Sequence, residues 1–465
     1  MSHLTQHPLS TLREQALDIF NAGVLAANPY LAVKQVLSID NEQLKLALDL
    51  ADKNAFLSKH WSKIHLIAFG KAACAMAKAA LEIIPSQLLA DENIVICNYE
   101  NLTTLNGIEV YGAGHPLPDE NGLLAAKKCA EIAHNAQPNE LVLVLISGGG
   151  SSLIPYPANT LSLADKITTT QSLLACGATI HEINCVRKHL SQLKGGGLAK
   201  LAAPADLHAI ILSDVLDDDL SVIASGPTVA DNTTFTDAIN ILISHQLWDK
   251  VPNAIRDYLN QGQKDLNPET PKQTDPIFNN TSQILIGSNA ISLAATTNSA
   301  TNLGFSTQVY NTHLCGEAKQ VAEDWVKYAK DLSEQGINKP LALIAGGETT
   351  VTLSGDGKGG RNQEMCLAFA IAEEKYPLLN DWVFLSGGTD GRDGPTDAAG
   401  GLIDKNTLKR MICANQNPQA LLSNNDAYTA LNSSDDLLIT GATGTNVADL
   451  QVLLIKPHSD SNTLS

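Results

Sequence analysis

The sequence predicts an α/β protein with two α/β domains, on three observations. Short apolar runs alternate with alanine-rich stretches of helical spacing, a pattern typical of a parallel sheet with helices on both faces. Several of these runs end in glycine-rich polar segments, as strands do when their carboxyl ends carry a ligand site. The chain has 465 residues, which is too long for one ordinary hydrophobic core.

The first half of the chain begins with a predicted amphipathic helix at residues 11–27, where apolar residues recur at helical spacing. The strands predicted after it are residues 65–69, 93–97, 141–146 and 207–212. The helices predicted between and after them are residues 72–84, 122–135, 162–175 and 183–201. Strands that alternate with helices in this way predict a parallel sheet.

The second half follows a polar segment with three prolines, residues 260–280, which predicts a linker. Strands are predicted beyond it at residues 284–286, 307–310, 341–345, 351–353, 382–385, 437–440 and 450–455. We therefore expect an N-terminal domain of residues 1–260 and a smaller C-terminal domain of residues 281–465. The active site is expected in the cleft between them, because ligand sites favour domain boundaries.

Composition narrows the classes of partner and the compartment. The net charge of −18 argues against nucleic acid and anionic membranes as partners, since either needs a basic face. The N-terminus lacks the pattern of a signal peptide, and no apolar run approaches the length of a membrane span, so a cytoplasmic location is expected. Eight scattered cysteines without paired spacing predict reduced thiols and no zinc site.

Two segments of the first half have the composition of an anion site. The apolar run at residues 141–146 ends in Ser147–Ser152, SGGGSS, whose glycines allow backbone N–H groups to approach a phosphate or carboxylate. Lys71 follows the run at residues 65–69 and opens a helix, where a cation is unfavourable unless an anion lies nearby. A plain turn and a solvated lysine are the alternatives.

Other charged residues of the first half follow the same logic. Asp214 lies just after the run at residues 207–212, where α/β enzymes keep acids that bind metal or act as a base. Arg187 and Lys194 belong to a basic segment that runs into Gly195, and they contact either substrate or solvent.

In the second half, residues 341–362 and 384–401 are apolar runs that end in glycines, acids and an arginine. Asp390, Asp393 and Asp397 fall in one short loop, where clustered negative charge is costly unless a cation such as Mg²⁺, with a nucleotide, neutralises it. A GxGxxG pattern at residues 355–360 suggests a dinucleotide site, but the acid expected to bind the ribose is missing. No Walker A sequence is present, which excludes a P-loop enzyme.

Five segments together resemble the glycerate 2-kinase family, whose C-terminal domain is of the MOFRL type. They read LISGGGSSL, INCVRKHLSQLKGGGLA, SDVLDDDLSVIASGPTV, AGGETTVTLSGDGKGGRNQE and SGGTDGRDGPTDAAGG. The resemblance implies a Rossmann-like N-terminal domain and ATP-dependent phosphorylation of D-glycerate at its 2-hydroxyl, giving 2-phosphoglycerate and ADP with Mg²⁺. It also implies that Lys71, Asp214 and Arg361 form the catalytic trio.

The resulting predictions name a set of binding residues and partners. Substrate or phosphate is expected at Ser147, Gly148, Gly149, Gly150, Ser151, Arg187, Lys194, Glu348 and Asn362, and metal at Asp390 and Asp397. The partners expected are D-glycerate and a nucleotide, without nucleic acid or membrane, and a homo-oligomer is compatible with the sequence. Two alternatives stay open: an NAD(P)-dependent hydroxypyruvate reductase, supported by residues 355–360, and a non-catalytic sensor of glycerate or nucleotide.

Overall fold

The structure, a computed structural model, describes residues 9–41, 43–215 and 217–457. Its strands are β1 (Leu37–Asp40), β2 (Gln43–Ala47), β3 (Phe56–Ser58), β4 (Ile64–Phe69), β5 (Ile94–Asn98), β6 (Glu109–Ala113), β7 (Leu141–Ile146), β8 (Asp206–Leu212), β9 (Thr281–Gly287), β10 (Ser306–Leu314), β11 (Leu341–Gly347), β12 (Asp381–Gly388), β13 (Gly400–Asp404), β14 (Leu437–Leu438) and β15 (Asp449–Lys456).

The α-helices of the described residues follow in chain order. They are α1 (Ser10–Ala26), α2 (Pro29–Val36), α3 (Ala73–Ile83), α4 (Glu120–Asn135), α5 (Gly150–Leu153), α6 (Leu163–Ala175), α7 (Ile180–His189), α8 (Gly197–Ala202), α9 (Phe235–Ser244), α10 (Asn253–Gln263), α11 (Asn289–Asn302), α12 (Ala318–Glu334), α13 (Arg361–Lys375), α14 (Thr407–Cys413), α15 (Pro418–Ser423) and α16 (Ala427–Ser433).

The chain folds as two compact units, and their boundaries differ from the predicted ranges 1–260 and 281–465. One unit, called here the N-terminal unit, is Pro29–Ile286; the C-terminal unit combines the described residues up to Asn28 with those from Gly287 onward. α1 belongs to the C-terminal unit because its buried side chains, such as Ile19 and Phe20, share a core cluster with residues of β11, β12 and β15.

The polar segment at residues 260–280 is not a linker, so that prediction is wrong. α10 extends to Gln263, and the loop after it is bonded into the N-terminal unit: the Asp231 N–H donates to the Pro271 carbonyl at 2.9 Å. β9 then joins the sheet of the same unit, although its sequence was assigned to the second domain. Proline and polar content mark a loop here, but its backbone hydrogen bonds fix it to one unit.

The main sheet of the N-terminal unit has the strand order β6-β5-β4-β7-β8-β9 among the described residues. The pairs from β6 to β8 are parallel. Counted from β4, the order is 3-2-1-4-5-6, which is that of the doubly wound dinucleotide-binding folds. The order reverses between β4 and β7, so the carboxyl ends of these strands form the topological switch point at which open α/β sheets bind ligands. The predicted Rossmann-like parallel sheet is confirmed.

The central strands of this sheet follow from their composition. β7, LVLVLI, is buried along its whole length, and β4 and β8 are nearly so, as expected of parallel strands covered on both faces. β6 was not predicted, because this edge strand, EVYGA, is partly exposed and contains no continuous apolar run. The small antiparallel sheet β1-β2-β3 was missed for the same reason.

The sheet of the C-terminal unit is mixed, with the order β10-β11-β15-β12-β13-β14 in the described part of the chain. β10 and β11 are parallel, and the other pairs are antiparallel. Residues 351–353 form no strand, contrary to prediction. β13 was missed because it begins with two glycines; a Cβ on Gly400 would lie 2.0 Å from the Ser386 carbonyl oxygen, so this close strand pairing requires glycine.

Two further observations concern the whole described chain. All eight cysteines are free. Within residues 9–41, 43–215 and 217–457, no single helix is long and apolar enough to cross a membrane, and one bent pair, α1 followed by α2, passes that test by length and composition only.

Candidate functional site

The loop after β4 presents Lys71 at the switch point. Gly70 has φ = +126°, and a Cβ there would lie 2.1 Å from Ser147 Oγ, so only glycine lets this loop touch the loop after β7. The Lys71 N–H donates to the Gly148 carbonyl at 2.9 Å. The Ala72 N–H donates to Ser147 Oγ at 3.0 Å. These contacts fix the Lys71 backbone, while Lys71 Nζ has no hydrogen-bond partner or ion pair among the described residues.

The loop after β7 joins Lys71 to Asp214. Gly148 packs so closely on the loop after β8 that a Cβ would lie 2.2 Å from Asp214 Oδ2. Gly149 is left-handed with φ = +81°, and a Cβ there would lie 3.3 Å from Lys71 Cε and 3.1 Å from His115 Nε2. The predicted residues Lys71, Gly148, Gly149 and Asp214 are therefore neighbours at the carboxyl ends of three adjacent strands.

Charges at this point are only partly compensated. Burial raises the pKa of Asp214, and its own backbone N–H, the positive charge of Lys71 and the Gly149 N–H offset part of this shift. Burial and then the charge of Lys71 lower the pKa of His115, so its imidazole is neutral at neutral pH. A buried carboxylate of raised pKa beside an unpaired lysine is typical of a proton-transfer or anion site.

Arg187 and Lys194 also lie in the N-terminal unit, together with Lys166, which the sequence analysis missed. Lys194 Nζ donates to the Ser151 carbonyl oxygen at 2.6 Å and to Ser151 Oγ at 3.0 Å. Lys166 Nζ has only a long contact, 3.5 Å, with the Tyr156 carbonyl oxygen. Burial, followed by the charge of Arg187, lowers the pKa of Lys166, and burial, followed by the charges of Lys166 and Arg187, lowers the pKa of Lys194. We call Lys166, Arg187 and Lys194 the cationic cluster.

Ser225 and Asn184 complete the surroundings of the cluster, and neither was singled out from the sequence. Ser225 Oγ lies 2.9 Å from Ser151 Oγ and 2.9 Å from Asn184 Oδ1. Ala224 and Ser225 are left-handed, with φ of 51° and 62°, although neither is glycine. Such strain costs about 1–3 kcal/mol per residue and collects at functional sites. No sequence pattern predicts it; the segment ASGP only indicates a turn.

Arg361 begins α13 in the C-terminal unit, but its guanidinium is already engaged. Arg361 Nε donates to Asp449 Oδ2 at 2.6 Å, and a second nitrogen donates to Asp449 Oδ1 at 3.0 Å. A third nitrogen donates to Glu348 Oε1 at 2.5 Å. Burial alone would lower the pKa of Arg361, but Asp449 and Glu348 raise it overall. The predicted contacts of Arg361 and Glu348 with phosphate would therefore have to replace this ion pairing.

Asp393 and Asn362 occupy the N-terminus of α13, so its backbone N–H groups bond within the C-terminal unit. The Asn362 and Gln363 N–H groups donate to the Asp393 carboxylate at 3.2 and 2.9 Å, and Ser386 Oγ donates to Asn362 Oδ1 at 2.6 Å. Burial, with the charge of Asp449, raises the pKa of Asp393 to about 6. This carboxylate occupies the position where a helix N-terminus would hold an anionic ligand, and Asn362 is buried beside it.

The acidic loop at residues 390–397 does not form the cluster that the sequence suggested. Asp390 accepts a hydrogen bond from the Arg392 N–H at 2.9 Å. Asp397 is exposed and accepts one from Tyr428 Oη at 2.8 Å, which lowers the pKa of Asp397. The described residues contain no group of three or more His, Cys, Asp or Glu side chains able to hold a metal ion. Each of the three acids has its own partner: Asp390 accepts from a backbone N–H, Asp393 from the N-terminus of α13 and Asp397 from a tyrosine.

The GxGxxG pattern at residues 355–360 has a packing explanation. A Cβ on Gly355 would lie 2.4 Å from Asn424 Oδ1, and one on Gly357 would lie 2.4 Å from Asp426 Cβ. The glycines thus let this segment pack on the chain between α15 and α16. The N-terminus of the helix that follows is taken by Asp393, which argues against a pyrophosphate in that place.

Comparison with known proteins agrees with the resemblance in sequence. Residues 15–260 match the profile described as a domain of unknown function, DUF4147, and residues 341–449 match that of the MOFRL family. The chain is 39% identical to the glycerate 2-kinase of Pyrococcus horikoshii over 96% of this chain and 97% of that protein. A relative from Agrobacterium vitis, described only provisionally as a hydroxypyruvate reductase, is 38% identical over 94% of this chain and 93% of its own length.

A solved structure gives the same answer for the fold. The crystal structure of glycerate kinase from Thermotoga maritima superposes with a TM-score of 0.84, at 38% identity, over 96% of this chain and 99% of that one. Fold and sequence agree over nearly the whole length of both proteins. This chain belongs to the glycerate kinase family, in which a DUF4147 domain is followed by a MOFRL domain.

Proposed function

We propose that this protein is an ATP-dependent D-glycerate 2-kinase, which transfers the terminal phosphoryl group of ATP to the 2-hydroxyl and releases 2-phosphoglycerate and ADP. The observation that carries the proposal is the meeting of Lys71, Asp214 and the glycine loop at the switch point of the parallel sheet. Relatives of 38–39% identity that are named glycerate kinases or glycerate 2-kinases support the choice of reaction.

The chemistry asks the protein mainly for positioning and charge neutralisation. Lys71 Nζ, which has no partner among the described residues, is free to bind oxygens of the transferred phosphoryl group. Gly148 and Gly149 carry no side chains, so phosphate oxygens can approach the loop backbone closely. Asp214 accepts the hydrogen bond of the 2-hydroxyl, and its raised pKa makes it a better proton acceptor than an exposed carboxylate.

ATP and Mg²⁺ complete the proposed reaction. Mg²⁺ usually keeps several waters and binds through the substrate phosphates with one or two carboxylates, and the dispersed carboxylates of this chain fit that mode better than a closed metal cage. Asp390 and Asp397 stay the predicted ligands; each already accepts a hydrogen bond, from the Arg392 N–H and from Tyr428 Oη, which a bound metal would have to share or replace. When bound, the metal would neutralise charge on the phosphates.

The contribution of the C-terminal unit is proposed in a more limited form. Arg361 and Glu348 stand as predicted phosphate contacts, with the added requirement that their ion pair opens when ligand binds. Asn362 bonds to Asp393, and its proposed contribution is to hold the start of α13 in place. That the active site lies in the cleft between the domains stays a prediction.

A hydroxypyruvate reductase is the competing function, because one relative carries that description and the N-terminal sheet has the dinucleotide-binding order. Against it, the loop after β4 reads Gly70-Lys71-Ala72-Ala73 and lacks the glycine fingerprint that a pyrophosphate requires. Because one fold can support different functions, the sequence of this loop is the stronger evidence, and it argues against a reductase.

The test is a pair of assays on the purified chain. D-glycerate with MgATP should yield ADP and 2-phosphoglycerate, identified by phosphorus NMR against 3-phosphoglycerate, while EDTA should abolish the reaction. Hydroxypyruvate with NADH or NADPH should show no enzyme-dependent oxidation of the nucleotide. Reductase activity without phosphoryl transfer would overturn the proposal, and release of 3-phosphoglycerate would correct its regiochemistry.

A further inference from the structure

The cationic cluster is unusual because its charges are buried without acids. Lys166 and Lys194 are 7% and 3% exposed, and Arg187 is partly buried. None of the three forms an ion pair with a carboxylate in the part of the chain that the structure describes. Removing a charge from water is costly unless it is paired, so a fold that keeps three such cations together is incomplete without an anion.

The hydrogen bonds of the cluster point to the same conclusion. The lysines contact only neutral oxygens of Ser151 and Tyr156, and Arg187 has no hydrogen-bond partner among the described residues, which leaves its five N–H donors unused. A guanidinium is suited to bidentate binding of a carboxylate. The missing group is therefore an acceptor with negative charge.

Asn184 provides an independent sign of a ligand. It is 3% exposed, and its Nδ2 has no hydrogen-bond partner within the described ranges of the chain, although buried amides are rarely left unpaired. Its Oδ1 accepts from Ser225 Oγ at 2.9 Å, which fixes the amide so that Nδ2 is the free end. Asn184 and Arg187 are three residues apart on α7 and share a face, so the unused amide donor adds to those of the cluster.

We infer that Lys166, Arg187, Lys194 and Asn184 form the subsite that binds the carboxylate of the substrate and selects a 2-hydroxy acid over a neutral polyol. The inference rests on the proposed function. Ser151 links this subsite to the reacting centre. Ser151 binds Lys194 and lies three residues after Gly148, the glycine that packs on Asp214. With the carboxylate in this subsite, the adjacent 2-hydroxyl would be directed toward Asp214, whereas the nucleotide phosphates are expected at Lys71.

The first experiment separates a ligand site from a structural one. Lys166→Met keeps the length of the side chain and removes the buried charge, so the ligand-free variant should melt about 2 °C or more above the wild type. Lys188→Met is the matched contrast: Lys188 is equally buried, but its Nζ lies 3.3 Å from Asp231, so its loss leaves a buried carboxylate unpaired and should lower the melting temperature. A lower melting temperature for Lys166→Met would overturn the inference.

The second experiment identifies the anion. In Lys166→Met and Arg187→Lys, KM for D-glycerate should rise on the order of 10- to 100-fold, with KM for ATP nearly unchanged. Lys200→Met, which removes an exposed lysine of α8, should match the wild type. A rise in KM for ATP alone would assign the cluster to nucleotide phosphate, and unchanged KM values for both would make it structural. If the wild type shows no kinase activity, the proposed function fails first, independently of these variants.

Discussion

In the described part of the N-terminal unit, Lys71, Lys166, Arg187 and Lys194 have no carboxylate within ion-pair distance, whereas in the C-terminal unit Arg361 is held by Asp449 and Glu348. The acids differ in the same way. Asp214 is buried near Lys71 without an ion pair among the described residues, while Asp449 is buried in an ion pair with Arg361. At their candidate site residues, the N-terminal unit leaves charges without ion-pair partners and the C-terminal unit pairs them; elsewhere the N-terminal unit also pairs buried charges, as in Lys188 with Asp231.

We interpret the unpaired charges as groups that bind a ligand and the paired charges as groups that stabilise the fold. A paired buried charge contributes to one arrangement of the chain, and removing one partner destabilises it. An unpaired buried charge lowers stability until a ligand of opposite charge binds, which is a common trade of stability for function. Variants of the two units should therefore fail in opposite ways.

The largest effect is expected at Lys71. Lys71→Met removes the charge that we assign to the transferred phosphoryl group, so kcat should fall on the order of 100-fold or more, with little change in melting temperature. Lys78→Met, which removes an exposed lysine from α3, the helix that begins two residues after Lys71, is the control and should keep normal turnover. Near-normal kcat in folded Lys71→Met would remove Lys71 from the site.

A moderate effect is expected at Arg361, mainly on stability. Arg361→Met leaves Asp449, whose side chain is 1% exposed, without its cation, and should lower the free energy of unfolding by about 2 kcal/mol; the guanidinium is partly exposed, which reduces the loss. Asp449→Asn in the same chain should restore part of it. If Arg361→Met leaves the melting temperature unchanged and lowers kcat 100-fold, Arg361 acts on the substrate as the sequence predicted.

The smallest effect is a pH dependence of substrate binding. Burial, followed by the charge of Arg187, lowers the pKa of Lys166 to about 7; Lys194 also faces it, and no described carboxylate pairs with it. Above pH 7 the free enzyme loses this proton, so KM for D-glycerate should rise, by at most about tenfold per pH unit for one proton. In Lys166→Met this component should disappear. A flat profile from pH 7 to 9 in the wild type would contradict it.

The same shift has a defined sign for stability. The folded-state pKa of Lys166 lies below its ordinary value of 10.5, so above about pH 7 the unfolded chain binds more protons than the folded one. The contribution of Lys166 to stability is therefore least favourable below pH 7 and improves toward pH 10.5. The gain in melting temperature of Lys166→Met should accordingly be largest at or below pH 7, as thermal unfolding at several pH values can show.

Much of the N-terminal unit was predictable because its strands are continuous apolar runs and its ligand loops directly follow them. β7 was predicted at its observed bounds, and Lys71, Gly148 and Asp214 were predicted as site residues that the structure brings together. The single helix predicted at residues 183–201 is wrong: α7 ends at His189, and α8 begins only after Gly195 and Gly196, which adopt positive φ. The family assignment from five segments is confirmed.

The rest depended on contacts that a sequence does not display. Arg361 resembled a phosphate clamp because Asp449, its strongest partner, lies 88 residues further along the chain. Lys166 was not predicted, because nothing in its local sequence shows that folding buries it near Arg187. The assignment of α1 to the C-terminal unit also depends on contacts distant in sequence, because the composition of its apolar face is compatible with either core.

The most direct test of the account is the kcat and melting temperature of Asp214→Asn, measured beside Asp393→Asn. We predict that Asp214→Asn lowers kcat for D-glycerate phosphorylation on the order of 100-fold or more and does not lower the melting temperature, because the buried charge forms no ion pair among the described residues. Asp393→Asn should lower the melting temperature, because one of the two oxygens that accept the Asn362 and Gln363 N–H groups becomes an NH2 donor, and we expect this loss to exceed the gain from removing the buried charge. A normal kcat with a lowered melting temperature in Asp214→Asn would contradict the assignment of the reacting centre to the N-terminal unit.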